Sequence, residues 1–241
     1  YTERMAALRH DFGILQPVAD QVFNVRHFGA DPRGLKDSTA KIQTTLTAAG
    51  VSGRGTVVIP GGSYLLRDQL TVPAGVTVLA YGALLRWTLF GATLASTAAA
   101  RAATGNGVRL NSRTRWYGGH LQMDGVADPT NVSIPAASMS GAFWVLLVMG
   151  HFNTATIADA DFILGTEDIL FADMVLELAS GGGNSLVEIL GPTKRVRSRN
   201  IQLLKTSTST TDRVVMEATW GARDGGETYH PSDIRCENLT M

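Results

Sequence analysis

The sequence has little of what marks a disulfide-bonded, nucleic-acid-binding or membrane-spanning protein. Its only cysteine is Cys236, so an internal disulfide is excluded and cysteine usage says nothing about secretion. Charged residues make up 17% of the chain and the formal net charge is zero. The apolar stretch Phe143–Met149 is far shorter than the about 20 residues that cross a bilayer. We therefore expect no nucleic-acid partner and no membrane insertion.

The chain does contain ample material for a large apolar core. Hydrophobic residues make up 44% of its 241 residues, a length that all-β domains commonly reach as one unit. The five histidines are scattered without the spacing of metal ligands, so we expect no metal and no cofactor. Short apolar strands alternate with Gly- and Pro-rich turns in the first third of the chain. We predict strands at Val57–Ile59, Tyr64–Leu66, Leu70–Val72, Val76–Leu79 and Ala83–Trp87.

An internal repeat sets the fold class. Each copy has an apolar residue, three others, a polar residue and then two apolar residues that flank one of either kind. The polar position is Asp or Asn in four of the five copies, and these residues tolerate a left-handed bend. Units of this kind bury their apolar rows only by stacking, which favours a solenoid over the alternative, a β-sandwich. The copies are Trp116–Met123, Ile157–Leu164, Ile169–Leu176, Val196–Leu203 and Ile234–Met241, with polar positions His120, Asp161, Asp173, Asn200 and Asn238.

One amphipathic helix precedes the strands. A strand is predicted at Val25–Phe28, followed by a polar loop and a helix at Ser38–Ala49, with Gly50 as its left-handed stop. The first turn of a solenoid has an open apolar end and an unpaired strand edge. We therefore predict that this helix caps the coil.

Residues 1–20 form a different kind of segment. Met5, Leu8, Phe12 and Leu15 follow an a–d–a–d spacing. The segment is either a short surface helix or the end of a dimeric or trimeric coiled coil. We place it as a helical lead-in or linker before a β-helix domain at 21–241, whose C-terminal part we expect to be incomplete.

The stretch "FNVRHFGADPRGLKDSTAKIQTTL", followed by "GRGTVVIPGGSYLL", resembles the start of the pectate-lyase superfamily. The resemblance implies a right-handed parallel β-helix, as in secreted polysaccharide-degrading enzymes and bacteriophage tailspikes. It implies polysaccharides as ligands, but it carries no mechanism, because the matched motif lies away from the catalytic face of the family's enzymes. The matched positions include Phe28, Gly29, Asp37, Ile42, Gly55, Pro60 and Tyr64.

The densest polar cluster, "WGARDGGETYHPSD" at 220–233, is predicted to be a long loop between turns of the solenoid. Asp224, Glu227 and His230 are the candidate catalytic residues there. Trp220 and Tyr229 are candidates for stacking on sugar rings. The alternative for all five is a solvated loop.

A second candidate is the arginine run in "KRVRSRN". On a strand, Arg195, Arg197 and Arg199 share the solvent face while Val196 and Ser198 point inward. Such a face binds an acidic sugar or merely keeps the rod soluble.

Two functions of different class follow. The first is a bacteriophage tail spike or fibre, a component of the virion with a β-helix stem. It would form a homotrimer through the N-terminal segment, contact other tail proteins, bind cell-surface polysaccharide and in some cases degrade it. The second is a secreted polysaccharide lyase or glycoside hydrolase. Whether the chain is an enzyme stays open at this point.

Overall fold

The strands coil into a parallel β-helix, which confirms the predicted fold. The structure is a computed structural model that describes residues 21–87, 106–123, 145–150, 165–179, 185–206, 216–219, 221–222 and 228–241. The strands are β1 Val22–Asn24, β2 Arg33–Asp37, β3 Thr56–Val58, β4 Gly62–Leu66, β5 Leu70–Val72, β6 Thr77–Leu79, β7 Ala83–Trp87, β8 Asn106–Leu110, β9 Arg115–Tyr117, β10 His120–Met123, β11 Val145–Met149, β12 Glu167–Leu178, β13 Ser185–Leu190, β14 Lys194–Lys205, β15 Met216–Thr219, β16 Gly221–Ala222, β17 Thr228–Tyr229 and β18 Ser232–Thr240.

Three stacks of parallel strands form the sides of the rod. The first stack runs β1, β3, β6, β9 and then the N-terminal half of β12. The second runs β2, β4, β7, β10 and then the C-terminal half of β12, while β14 and β18 continue both stacks. The third stack runs β5, β8, β11, β13 and β15. Successive turns of chain therefore stack on one another, and each of β12, β14 and β18 serves two sides of the rod.

Inward side chains in register fill the core. Along the first stack, Val57, Val78, Trp116 and Phe171 follow one another, and each is fully buried. Burial of one such side chain contributes about 1.5–3 kcal/mol, so the stacked columns supply the main stabilisation. Equivalent columns in the other stacks are Tyr64, Leu85, Leu121, Leu176 and Leu203, and Leu70, Val108, Leu147 and Val187.

The predicted bends are confirmed where the structure describes them. Asp173, Asn200 and Asn238 have φ angles of 59°, 53° and 54°, so each residue takes the left-handed conformation. The bend predicted at His120 is wrong, because Gly118 and Gly119 take the positive φ angles, 75° and 94°. Asp161 and its repeat copy lie outside the described residues.

The helix α1, Thr39–Val51, packs against β5, β1 and β3 at the first turns of the coil. Its buried side chains include Ile42, Leu46 and Ala49, the predicted apolar stripe. The Asp37 carboxylate accepts a hydrogen bond of 2.9 Å from the Thr39 amide, at the exposed amide end of the helix. The position confirms that the helix covers the first turn.

Three local predictions at this end are wrong. The strand lies at β1 rather than Val25–Phe28, because the amides of His27, Phe28 and Gly29 bind carbonyls three residues earlier and close a turn. The predicted polar loop contains β2, which pairs with β4. Gly50 is no left-handed stop but lies inside α1, where a Cβ would be 2.6 Å from Pro73.

The predicted lead-in at 1–20 lies outside the described residues. Among the residues that the structure describes, no helix is long and apolar enough to span a membrane.

Candidate functional site

Two carboxylates stand side by side on the outer face of the third stack. Glu188 in β13 and Glu217 in β15 are directly opposite each other in the parallel register. Adjacent strands lie about 4.8 Å apart, so the two side chains leave the sheet as close neighbours. Val187 and Ile189, on either side of Glu188, are buried in the core, so Glu188 points outward, and the parallel register puts Glu217 on the same face. We call Glu188 and Glu217 the carboxylate pair.

The surroundings of the two acids differ. Glu188 is half-buried, and Leu190, the next outward side chain along β13, is 6% exposed. Val148 in β11 lies opposite Glu188 on the side away from Glu217, and it is 1% exposed. Glu217 is exposed. One acid therefore lies in an apolar setting and the other faces water.

These surroundings change the proton affinity of Glu188. Burial raises the pKa of Glu188 because it penalises the charged form, and the charge of Glu217 raises it further. A protonated acid beside a charged carboxylate is the arrangement that glycoside hydrolysis requires. When Glu188 is protonated and Glu217 is ionised, the pair can donate a proton to a glycosidic oxygen and stabilise positive charge on the sugar.

Arg109 extends the same outward column, one strand beyond Val148. Its guanidinium donates a hydrogen bond of 2.6 Å to the Gly150 carbonyl. Burial lowers the pKa of Arg109. The column thus carries a cation two strands away from Glu188.

A second polar cluster lies on the outer face of the second stack. The buried Glu177 carboxylate accepts hydrogen bonds from Gln122 and Thr206 at 2.9 and 2.5 Å, and it contacts His120 Nε2 at 2.7 Å. Burial would raise the pKa of Glu177, but the bonds from Thr206, Gln122 and His120 lower it. The cluster joins three successive turns of the rod, so its first role is structural.

The three candidate arginines share the outer face of the first stack, as predicted, with Val196 and Ser198 buried. Arg195 forms ion pairs of 2.6 Å with both Glu167 and Asp168. Arg197 pairs with Asp233 at 2.9 Å. Arg199 makes no hydrogen bond or ion pair with any residue that the structure describes. Glycan binding by the arginines stays a prediction, and Arg199 is the one whose donors no described residue uses.

The predicted loop at 220–233 is partly strand. β16 and β17 pair antiparallel, with Tyr229 opposite Gly221, and Asp233 belongs to β18. Tyr229 is half-buried, and the exposed His230 makes no hydrogen bond within the described part of the chain. Trp220, Asp224 and Glu227 lie outside the described residues, so their roles stay predictions.

Sequence reasoning missed the carboxylate pair. The signal in "SLVEIL" is one acid inside an apolar alternation, which marks an outward position on a buried strand. The partner acid is not visible from sequence, because its register depends on connections of irregular length. A polysaccharide hydrolase needs two carboxylates that flank the bond it cleaves, and outward acids at equivalent positions of neighbouring turns supply such a pair.

Comparison with known proteins agrees with this fold. Residues 22–119 match a family described as rhamnogalacturonase A/epimerase, pectate lyase-like. No curated protein matches the chain at a significant level. The match covers less than half of the chain and agrees with the parallel β-helix that the structure shows, the fold that the opening motif implied.

Solved structures share this coil at low identity. A predicted glycosyl hydrolase from Parabacteroides merdae ATCC 43184 is 14% identical, with a TM-score of 0.55 over 91% of this chain and 97% of its own. PfbA, a surface adhesin of Streptococcus pneumoniae, is 14% identical, with a TM-score of 0.56 over 90% of this chain and 49% of its own. At such identities the likeness shows the fold alone.

Proposed function

We propose that this chain is the β-helix of a bacteriophage tail spike that binds a cell-surface polysaccharide and hydrolyses it at the carboxylate pair. The observation that carries the proposal is the register of Glu188 and Glu217 on one outer face. In the proposed reaction Glu188 donates its proton to the leaving oxygen as the glycosidic C–O bond breaks. Glu217 faces the positive charge that develops on the sugar and accepts a proton from the water molecule whose oxygen bonds to the anomeric carbon, so that one glycosidic bond and one water give two hydroxyl-terminated sugars.

Replacement of either acid tests the chemistry. We expect Glu188→Gln and Glu217→Gln each to lower the rate of polysaccharide cleavage by roughly 10²–10⁴-fold, the usual contribution of a proton-transfer group. New reducing ends released from bacterial capsular and O-antigen polysaccharides measure the rate. Asp68→Asn is the matched control, because it removes an exposed carboxylate in the turn before β5.

The pH profile of the same assay gives a second readout. Glu188 must be protonated to act as the acid, so the rate falls as pH rises through its pKa. Because that pKa is raised, the fall occurs at higher pH than for an ordinary glutamate. Equal rates for the wild-type chain and both Gln variants would reject the carboxylate pair as the site.

The phage setting is supported by the sequence. The opening motif resembles the start of the β-helix in tailspikes, and Met5, Leu8, Phe12 and Leu15 have the spacing of a coiled-coil end. In this setting the chain is a homotrimer held through residues 1–20, it contacts other tail proteins, and it lies in the virion outside the cell. A secreted hydrolase is the second candidate, because both carboxylates come from one chain and need no second subunit.

Oligomeric state separates the two candidates. We expect size-exclusion chromatography with light scattering to give a trimer for the whole chain and a smaller species when residues 1–20 are removed. The expected cause is the loss of the a–d stripe that joins the subunits. A monomer in both samples would favour the secreted enzyme.

A further inference from the structure

One tyrosine is held rigidly on the surface with much of its ring in solvent. Tyr81 lies in the turn between β6 and β7 and is 56% exposed. Its hydroxyl donates a hydrogen bond of 2.9 Å to Asp173, two turns further along the rod. The turn between them contains Gly118, where a Cβ would lie only 2.6 Å from Tyr81 Cδ1. The ring therefore rests on a glycine backbone and is tied at its hydroxyl.

The support beneath this ring is itself fixed. Asn200 donates a hydrogen bond of 2.7 Å to Asp173, and Asn238 donates one of 2.9 Å to Asn200. These side chains occupy the left-handed bends of three successive turns. A ring positioned in this way loses little conformational entropy when a ligand stacks on it.

Polar groups suited to sugar hydroxyls surround the ring. Each oxygen of Asp173 accepts one hydrogen bond, from Asn200 or from Tyr81, which leaves acceptor capacity on both. Arg199 is exposed, and its charge acts on both Asp173 and Tyr81. Its five donors are unused among the described residues, although Glu237 stands opposite it in the next turn.

We propose that Tyr81, Asp173 and Arg199 form a binding surface for one pyranose ring of a polysaccharide. The apolar face of the sugar stacks on Tyr81, and adjacent hydroxyls pair with the carboxylate as donors and with the guanidinium as acceptors. The surface lies at the bends between the first and second stacks, whereas the carboxylate pair is on the third stack. The inference deepens the proposed function, since it also requires a polysaccharide ligand, but it requires no cleavage.

A printed array of bacterial and plant glycans, probed with the labelled chain, tests the surface. We expect Tyr81→Ala to bind its glycan about tenfold more weakly, the loss of one stacking contact. Arg199→Ala should bind several-fold more weakly while its melting temperature stays that of the wild type. Tyr81→Phe keeps the ring and should retain most of the binding. Leu35→Ala is the control, because it removes another large apolar side chain, 71% exposed, that lies outside the proposed surface.

The outcomes separate this surface from the catalytic proposal. Binding that survives in the Glu188→Gln, Glu217→Gln double variant and weakens about tenfold in Tyr81→Ala supports the surface, whether or not cleavage occurs. No bound glycan on the array, or unchanged binding by Tyr81→Ala, overturns it. Loss of binding in Tyr229→Ala but not in Tyr81→Ala also overturns it and assigns the contact to Tyr229.

Discussion

Gly150→Ala is expected to destabilise the rod by about 2–5 kcal/mol, enough to remove much of the stability of a typical domain. Gly150 follows β11 and has a φ of 80°, a conformation that costs other residues energy. A Cβ there would lie 2.2 Å from both the Leu190 carbonyl oxygen and the Thr193 hydroxyl. The added Cβ would clash with the next turn of the coil. The two turns must move apart to relieve the clash, and this separation weakens their packing. Denaturant unfolding measures the loss of stability.

Gly53→Ala is the matched control for the backbone. Gly53 has a nearly identical φ of 84°, but a Cβ there would meet no atom within 4 Å. We expect a loss of only about 1 kcal/mol, the cost of the left-handed conformation itself. Similar losses at both positions would mean that the turns are not packed as closely at Gly150 as the structure shows.

The strands could be predicted because their signals are local. Alternation of apolar residues and the Gly or Pro turns between them placed Tyr64–Leu66 and Leu70–Val72 inside the observed β4 and β5. The bend at Asp173 was equally local, because few residues accept a positive φ. Stacking then followed from the need of each repeat to bury its apolar row.

Predictions failed where a distant partner decides the local structure. β2 has no buried side chain to mark it as a strand and becomes one because β4 pairs with it. Glycine often ends a helix, but Gly50 lies inside α1. A residue without a Cβ is needed there because α1 passes close to Pro73. At His120 the repeat was aligned two residues out of register, and the neighbouring glycines make the bend. Each error arises where a contact between turns decides the local structure, and the spacing of residues in the sequence does not encode such contacts.

The candidate sites were harder to predict than the strands, because they depend even more on contacts between turns. Glu188 could be predicted to point outward, but its neighbour Glu217 comes from the next turn, beyond the whole of β14. Tyr81 and Asp173 meet across two turns of the rod. Polar density in sequence instead drew attention to residues 220–233. In a coil, a site forms from residues on successive turns, which lie far apart in the sequence. The composition of one stretch of chain therefore does not reveal the site.

Leu46→Ala in the capping helix is expected to cost about 2–5 kcal/mol, the usual loss for a fully buried leucine. Leu46 is 0% exposed and lies on the face of α1 that packs against β5, β1 and β3. Its removal leaves a cavity between the cap and the first turn. Thr44→Ala is the control on the exposed face of the same helix, where we expect a change within about 0.5 kcal/mol.

The location of the damage tests whether the helix acts as a cap. In a solenoid each turn contacts only its neighbours, so a weakened cap loosens the nearest turn first. Hydrogen exchange in Leu46→Ala should therefore accelerate most in β3 and β5 and least in β13 and β14. Faster exchange by the same factor along the whole rod would show that α1 belongs to one cooperative core. In that case α1 would not act as a separate cap, and the first turn of the coil would not depend on it for protection.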